Sequence, residues 1–374
     1  MGMQRRGTLA LVAALTLSGA VAACGSDDKS DSSSTPAAAS GGGSEKSGKI
    51  ALLLPETKTT RYEEQDRPRF EAKIKELCPK CEVLYSNANQ DASRQQQQAE
   101  AAITNGANVI VLDAVDADAA QATVNRAKQS NIPVIAYDRL ISNAPISYYV
   151  SFDNVKVGKI QAQALLDKLG GADGKQIVML NGSPTDPSSG DYKKGAHEVL
   201  DSSGVKIAKE YDTPDWSPDK AQQETEQAIT ALGKDKIAGV YSANDGMVGG
   251  AIAAMKSAGI DPKTVATTGQ DSEIAAIQRI LVDEQYMTIY LAIKKQAESA
   301  AQLAVDLIQG KQPDSALVNA KVNNGAADIP SVMLDPTAVT KDNIKDTIIA
   351  DNFHSADDIC TGDFASACAD AGIQ

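Results

Sequence analysis

Side chains suited to a polyhydroxylated molecule follow the short apolar runs of this chain. A carboxylate accepts hydrogen bonds, a guanidinium donates them and a carboxamide does both, which matches the hydroxyl groups of a sugar. An aromatic ring suits the apolar C–H faces of a sugar, and aromatic residues are only 4% of the chain, so a tryptophan after an apolar run is informative. The residues concerned are Arg61, Tyr62, Asp138, Arg139, Asp186, Trp216, Asn244 and Asp271.

Helix capping is the alternative explanation for the acidic members of this set. Asp and Asn directly before a helix are favoured N-caps in any α/β protein. Capping accounts for a single acid, but it does not account for a collection that also holds arginines and an aromatic residue. We interpret Asp113, Asp153 and Asp245 as caps or hinge residues and Asp138 as a residue that steadies Arg139. The other seven remain candidates for ligand binding.

The elements that position these residues are apolar runs alternating with longer amphipathic stretches. Near-continuous apolar runs predict parallel strands covered by helices on both faces. The alternation restarts near residue 154, which predicts two doubly wound α/β lobes, and in such sheets ligands bind beyond the carboxyl ends of the strands. The predicted strands are 50–55, 81–87, 108–113, 132–138 and 146–153, then 177–182, 205–212, 237–244, 264–271 and 286–290.

Residues 137–158 contain the predicted passage from one lobe to the other. One apolar run ends in Asp138-Arg139 and the next in Asp153-Asn154. A charged pair beside a hinge indicates a protein that closes on a small polar molecule. The expected N-terminal lobe comprises 49–153 plus 291–330, and the expected C-terminal lobe comprises 154–290 plus 331–374.

Residues 1–23 have the pattern of an export signal, because Arg5 and Arg6 precede an apolar stretch too short to span a membrane comfortably. The stretch ends in VAACG around Cys24, which resembles the lipobox of bacterial lipoproteins; an ordinary secretory signal with an incidental cysteine is the alternative. The resemblance implies an extracytoplasmic protein anchored to the cell membrane through lipidated Cys24. Residues 24–48 are rich in Ser and Gly and are expected to be a flexible tether.

Four cysteines remain beyond Cys24, and an even count in an exported chain favours two disulfides between near neighbours. The candidates are Cys78 with Cys81, and Cys360 with Cys368. The CPKC sequence is also compatible with a redox motif or half of a zinc site, but no second CxxC or nearby histidine completes a metal set. Spacing alone leaves the connectivity open.

Composition and motifs argue against nucleic-acid binding and against catalysis. A formal net charge of −13 disfavours contact with a phosphate backbone, and the acidic tether stands where sugar-responsive repressors carry a basic headpiece. His197 and His354 lie outside any nucleophile motif, and no GxSxG, zinc pair or P-loop is present. Asp186 and Asp271 are compatible with a glycosidase pair, but carboxylates in a binding cleft need only accept hydrogen bonds. No metal or cofactor is expected.

Seven motifs in order resemble the bacterial D-xylose-binding periplasmic proteins, a branch of the ribose/galactose-type binding proteins of ABC importers. They are YDRLI, ISYYVSFDNVKVG, GSPTD, YSAND, GGAIAAM, GQD and NIKDTII, and the similar region runs from about residue 50 to residue 354. The resemblance implies two lobes joined by three crossings, a monosaccharide bound between them, and membrane subunits of an importer as partners. It also implies a monomer.

Carried over by motif, the resemblance implies polar sugar contacts from Arg61, Arg139, Asp186, Asn244 and Asp271. It implies that Tyr62 and Trp216 sandwich the sugar ring, with Tyr62 in place of the family's usual tryptophan. After the run MTIY the family often has a lysine that reaches the sugar, whereas this chain has Leu291. A site that lacks a donor discriminates differently among hydroxyl patterns, so the motifs support a monosaccharide in general more strongly than D-xylose.

Overall fold

The structure is a computed structural model that describes residues 46–373. The predicted signal peptide, the predicted lipidation site Cys24 and residues 24–45 of the predicted tether lie outside the described residues. None of the described helices combines the length with the apolar character needed to cross a membrane.

Among the described residues, seven strands form the sheet of the first lobe: β1 (Lys49–Leu54), β2 (Glu82–Asn87), β3 (Val109–Leu112), β4 (Val134–Tyr137), β5 (Tyr148–Phe152), β11 (Ala320–Asn323) and β12 (Asp328–Leu334). Their order is β11-β12-β5-β4-β3-β1-β2. All neighbours are parallel except β11 and β12. The five strands predicted before residue 154 are therefore confirmed as one parallel series.

Alternate residues of β1 show why helices cover both faces of this sheet. Ile50 and Leu52 pack into one hydrophobic core, whereas Ala51 and Leu53 pack into another. A strand that is apolar on both faces is stable only between two covering layers, which is the position of a central parallel strand.

Within the described chain, four parallel strands form the sheet of the second lobe: β6 (Gln176–Asn181), β7 (Lys206–Asp212), β8 (Ile237–Ser242) and β9 (Ala266–Thr267). Their order is β7-β6-β8-β9. β9 is shorter than the predicted strand 264–271 at both ends. Pro262–Thr264 form a 3-10 turn before it, and after it the Thr268 side-chain oxygen, rather than a backbone oxygen, accepts the hydrogen bond from Ser242 N.

The helices lie between these strands and beside the tail: α1 (Arg67–Leu77), α2 (Ala92–Thr104), α3 (Ala120–Gln129), α4 (Asn154–Leu169), α5 (Pro187–Leu200), α6 (Pro218–Leu232), α7 (Asp245–Ser257), α8 (Ile274–Leu281), α9 (Ile293–Gln309), α10 (Ala356–Ile359) and α11 (Ala365–Asp370). The helix predicted over 62–78 begins as a π-helical segment, Tyr62–Asp66, and α1 then starts with Pro68 in its first turn, as expected from the missing N–H of proline. A second π-helical segment, Lys345–Ile349, precedes the tail.

Between residues 46 and 373 the chain passes three times from one lobe to the other: after β5, before α9 and after β12. Two of these crossings share a small antiparallel sheet of β10 (Thr288–Tyr290) and β13 (Thr337–Val339). The strand predicted over 286–290 therefore belongs to the hinge and not to the second-lobe sheet. β12 pairs with β5 as far as Leu334, so residues 331–334 lie in the first lobe, beyond the boundary expected at 330.

Both pairs of neighbouring cysteines form disulfides in the structure. Cys78 is bonded to Cys81 at the end of α1, and Cys360 is bonded to Cys368 between α10 and α11. These are local staples that hold one helix end and one short tail helix in place.

The close contact of α4 with α5 yields a stability test. A Cβ on Gly195 of α5 would lie 2.0 Å from the Val155 carbonyl oxygen, whereas a Cβ on Gly190 of the same helix meets nothing within 4 Å. We expect Gly195→Ala to lower the free energy of unfolding by at least about 1–3 kcal/mol through overpacking. Gly190→Ala should raise it by up to about 1 kcal/mol, because alanine is the better helix former. Denaturant unfolding of both variants measures these changes. Equal changes in unfolding free energy would contradict the close contact of α4 with α5.

Candidate functional site

The carboxyl ends of the strands of both lobes face one cleft, lined by eleven residues of the described chain. It has a volume of about 290 Å³ including its mouth. The lining residues are Thr59, Arg61, Tyr62, Asp138, Arg139, Asp186, Tyr192, Trp216, Asn244, Gln270 and Asp271. The structure thus brings all seven predicted ligand-binding residues together.

Arg61 stands directly after the loop that follows β1, and it is only 4% exposed. Its guanidinium donates two hydrogen bonds to Asp66, at 2.9 and 3.0 Å, and one to Asp138 at 3.2 Å. It also donates to the Gln296 side chain of α9 at 2.9 Å. These partners belong to the first lobe, so this lobe alone orients Arg61. Its Nη1 lies 3.8 Å from the Asp271 carboxylate of the second lobe.

Arg139 follows β4 and bridges the two lobes. Its Nη1 donates to the Ala114 carbonyl at 3.0 Å within the first lobe, and its Nε lies 2.8 Å from Asp186 Oδ2 of the second lobe. Asp113 is fully buried behind it, 3.4 Å from the same Nε, and no donor in the described chain hydrogen-bonds its carboxylate. Asp113 therefore neighbours Arg139 instead of capping a helix, burial raises the pKa of its carboxyl group, and its interpretation as a cap or hinge residue is wrong.

Two of the second-lobe polar residues that line the cleft, Asp186 and Asn244, are helix caps as well. Asp186 is the N-cap of α5 and accepts from Ser188 N, and Asn244 is the N-cap of α7 and accepts from Met247 N. Capping and lining use different atoms of one side chain: the second Asp186 oxygen accepts from Trp216 Nε1 at 3.2 Å. Capping is therefore confirmed for Asp186 and Asn244, and it is compatible with a position in the lining of the cleft.

Asp153 and Asp245 hold the hinge rather than the cleft. Asp153 is the N-cap of α4 at the first crossing, as predicted. Asp245 accepts hydrogen bonds from Gln285, from Thr288 on β10 and from Glu273 N. It therefore ties the start of α7 to the second crossing, which agrees with the hinge interpretation.

Three aromatic rings line the cleft from opposite lobes. Trp216 follows β7 and meets Tyr192 edge-on, with ring centroids 6.3 Å apart. Tyr62 lies on the first lobe and donates to Asp138 at 3.2 Å. Gly182 makes room for Trp216, because a Cβ there would lie 1.9 Å from the indole ring.

Several cleft residues adopt a left-handed backbone conformation that non-glycine residues rarely take. The φ angles are 62° at Asp138, 52° at Trp216 and 94° at Asp271. Such residues cost on the order of 1–3 kcal/mol each and persist where the surrounding structure holds them. The Asp138 carbonyl, for example, accepts from Tyr149 at 3.2 Å and from Ser151 at 2.7 Å.

The carboxylates of the cleft differ in their affinity for protons. Burial opposes the charge of Asp138, but Arg61, Gln296 and Arg139 outweigh burial and hold its pKa below the ordinary value. Burial raises the pKa of Asp271 to about 7 despite the nearby Arg61, and the negative charges of Asp245 and Asp138 contribute. Asp138 is thus a stable anion that orients Arg61, whereas Asp271 titrates near neutrality.

Sequence reasoning missed Thr59, Tyr192 and Gln270 as lining residues. Gln270 stands beside Asp271 at a strand end, so its position was available from the sequence pattern. Tyr192 lies inside α5, where no strand-end pattern points to it. Leu291, the expected point of difference, is 1% exposed and packs in the second-lobe core instead of lining the cleft.

The two histidines lie outside the cleft. His197 bonds to Asp201 and Glu210 on the second lobe, and His354 is buried near the tail. Across residues 46–373, no cluster of three or more His, Cys, Asp or Glu side chains could hold a metal ion.

The sequence pattern of a known family, described as the periplasmic binding protein domain, matches residues 50–312 of this chain. The chain belongs to the periplasmic binding protein family. The two lobes, the parallel sheets and the crossings described above are therefore those of a periplasmic binding protein of type I, as the sequence motifs implied.

Relatives of this periplasmic binding protein include two proteins named D-xylose-binding periplasmic protein. The one from Escherichia coli (strain K12) is 37% identical over 318 residues, which cover 84% of this chain and 93% of the relative. The one from Haemophilus influenzae is also 37% identical over 318 residues, with 84% and 92% covered. A multiple sugar-binding periplasmic receptor of Rhizobium radiobacter is 33% identical over 288 residues, with 72% and 81% covered.

Solved structures of similar fold include two solute-binding proteins described with glucose. The protein from Clostridium phytofermentans, with bound β-D-glucose, has a TM-score of 0.75 and 26% identity, with 83% of this chain and 99% of that chain covered. The protein from Chloroflexus aurantiacus, in complex with D-glucose, has a TM-score of 0.74 and 25% identity, with 83% and 98% covered.

The raised pKa of Asp271 gives a prediction for stability against pH. Folded Asp271 retains its proton to higher pH than the unfolded chain does, so the folded state binds more protons between about pH 4 and pH 7 and loses stability as pH rises through this window. Asp271→Asn removes this loss. We expect its advantage in unfolding free energy over the original chain to grow from about pH 4 to pH 8, by on the order of 2–4 kcal/mol.

Thermal or denaturant unfolding at several pH values measures this difference. Asp357→Asn, an exposed substitution in the tail, serves as the matched control. A difference between Asp271→Asn and the original chain that stays constant with pH would contradict the assignment.

Proposed function

We propose that this chain is the extracytoplasmic substrate-binding protein of an ABC importer and that it binds a monosaccharide, with D-xylose as the first candidate. The observation that carries the proposal is the convergence of two arginines, three carboxylates, two carboxamides and aromatic rings on a single interlobe cleft. The named function of the 37%-identical relatives supports the same choice.

The side chains of the cleft have complementary tasks toward a sugar. Arg61 and Arg139 donate to hydroxyl oxygens, and Asp186 and Asp271 accept from hydroxyl hydrogens. Asn244 does both. Trp216 and Tyr62 provide apolar ring faces for the C–H surfaces of the sugar.

Closure of the hinge couples binding to a change of shape. Contacts between the lobes include Arg139 with Asp186 at 2.8 Å and Thr60 N with Glu273 Oε1 at 3.3 Å. A sugar that bonds to both lobes has more partners in the closed form, so it shifts the population toward closure. The membrane subunits of the importer would then accept the closed shape.

D-xylose is one of several sugars that such a cleft can hold. Arabinose, glucose, galactose and ribose carry the same kinds of hydroxyl groups, and relatives include proteins named for multiple sugars. Leu291 provides no donor where the family often has a lysine, which leaves the hydroxyl pattern open. A sugar-processing enzyme is the alternative from another class, and prolonged incubation with glycosides without release of sugar excludes it.

A lipid anchor would complete this arrangement. The sequence around Cys24 and the Ser/Gly-rich residues after it support attachment to the outer face of the cell membrane, with the folded part on a tether. Stable anchoring requires more than one acyl chain. Mass spectrometry of the membrane-extracted protein tests for a diacylglyceryl group on Cys24, and a monomer is expected in solution after removal of the anchor.

Asp271→Ala tests the cleft directly. Loss of a hydrogen-bonding carboxyl group that contacts the sugar should raise the Kd by at least about tenfold without unfolding the protein. Calorimetry against xylose, glucose, galactose, arabinose and ribose measures both the preference and the loss. Asp261→Ala is the control, because Asp261 caps an exposed turn of the same lobe away from the cleft. Equal affinity of Asp271→Ala and the original chain would refute the site.

Gly182→Ala tests the aromatic platform. The added methyl group must displace the indole of Trp216, so the Kd should rise by about tenfold or more. Trp216 is the single tryptophan of the chain, so its fluorescence reports both sugar binding and displacement of the ring. An unchanged emission spectrum together with an unchanged Kd would contradict the close contact between Gly182 and the indole ring of Trp216.

A further inference from the structure

Residues 351–354, named here the C-terminal clasp, connect the two lobes outside the three crossings and pack against the hinge strand β10. They follow the π-helical segment Lys345–Ile349, and Ile348 and Phe353 are part of the second-lobe core. The clasp therefore moves with the second lobe. Its contacts to the first lobe are contacts that opening of the lobes would break.

The first lobe donates two hydrogen bonds to backbone carbonyls of the clasp. Gln65 Nε2 donates to the Phe353 carbonyl at 2.8 Å, and Arg69 Nη2 donates to the Asn352 carbonyl at 2.9 Å. Arg69 Nε also donates to Gln65 Oε1 at 2.8 Å, which orients the Gln65 carboxamide. Gln65 precedes Asp66, the bidentate partner of Arg61 in the cleft.

On its other side, the clasp contacts the residue that follows Asp271. His354 Nε2 lies 2.8 Å from the Ser272 carbonyl oxygen, and since a carbonyl only accepts, this nitrogen carries the hydrogen. Asp271 and Ser272 are consecutive left-handed residues, with φ of 94° and 52°. Thr288 Oγ1 of the hinge accepts from Ser272 N at 3.2 Å, so the tail and a crossing hold this turn together.

Aromatic packing makes the clasp a stiff connection. The Phe353 ring meets the Tyr290 ring edge-on at 5.1 Å and the His354 ring at 4.6 Å. Tyr290 ends the hinge strand β10, and its hydroxyl donates to Asp351. Because the Phe353 ring packs against the His354 ring, movement of Phe353 away from the first lobe would also move the imidazole of His354.

We propose that the C-terminal clasp couples closure of the lobes to the placement of Asp271, with Gln65 and His354 as positioning residues for sugar binding. The inference rests on the proposed function. Gln65 forms its bond to Phe353 only when the lobes are together, and His354 supports the turn that presents Asp271 to the cleft. Because coupling between sites is reciprocal, a sugar held by Asp271 in turn favours the clasped state.

Substitution of His354 separates its hydrogen bond from its volume. His354→Leu removes the donor to the Ser272 carbonyl and should raise the Kd for the sugar about three- to tenfold. His354→Gln retains an N–H donor and should restore most of the affinity. His197→Leu is the matched control, because the other histidine of the chain lies on the second lobe away from the cleft and should leave the Kd unchanged.

Gln65→Ala tests the same clasp from the opposite lobe. It should raise the Kd by a similar factor, and the double variant Gln65→Ala/His354→Leu should show less than the product of the two factors, since both act through one element. Small-angle scattering should show that a higher sugar concentration is needed to compact Gln65→Ala. If His354→Leu fails to fold, the Gln65→Ala titration decides the proposal alone.

Calorimetry with the best-bound sugar of the panel distinguishes failure of the proposed sugar binding from failure of the clasp. Absence of binding by the unaltered chain would refute the proposed function. Binding by the unaltered chain together with unchanged Kd values for Gln65→Ala and His354→Leu would overturn only the clasp. The clasp would also be overturned if the increases in Kd of the two single variants multiply fully in the double variant. Two independent contacts would then explain the losses of affinity.

Discussion

Two buried guanidinium groups between the lobes are the constraint on which the rest of this structure depends. A buried cation is tolerated only when carboxylates and hydrogen-bond acceptors surround it. Arg61 obtains its partners from its own lobe, mainly Asp66 and Asp138, whereas Arg139 obtains Asp186 from the opposite lobe. Arg61 therefore remains oriented whatever the distance between the lobes. Arg139 has its carboxylate partner Asp186 only when the lobes are close together.

The architecture supplies these partners because parallel strands end at a common edge. Asp138 and Arg139 follow β4, Trp216 follows β7, and Asn244 follows β8. Helices that begin at the same edge need caps, so Asp186 and Asn244 serve both the helices and the cleft. The hinge positions the remaining carboxyl group: Asp245 accepts a hydrogen bond from Thr288 of β10 and so links the second lobe to this strand, next to the turn that carries Asp271.

The sequence allowed prediction of the two parallel lobes and of the seven cleft residues because both follow from order along the chain. Strand ends in a parallel sheet converge whatever the details of packing. Tyr192 could not be found this way, since its direction depends on how α5 packs against α4 near Gly158 and Gly195. The place of β10 in the hinge and the burial of Leu291 were missed for a similar reason: both depend on pairing with β13 and packing in the second-lobe core, contacts far apart in sequence.

Backbone strain at the cleft has a chemical reason. Asp138 and Asp271 hold left-handed conformations that glycine would adopt at lower energy, but glycine has no carboxylate to place there. The surrounding structure offsets the strain with directed bonds: Ser151 and Tyr149 hold the Asp138 carbonyl, and Ile289 O accepts from Asp271 N at 3.0 Å. The Asp271 turn depends on the hinge strand for this support, so movement at the hinge changes the position of a proposed ligand contact directly. Recognition and closure are therefore properties of the same few residues.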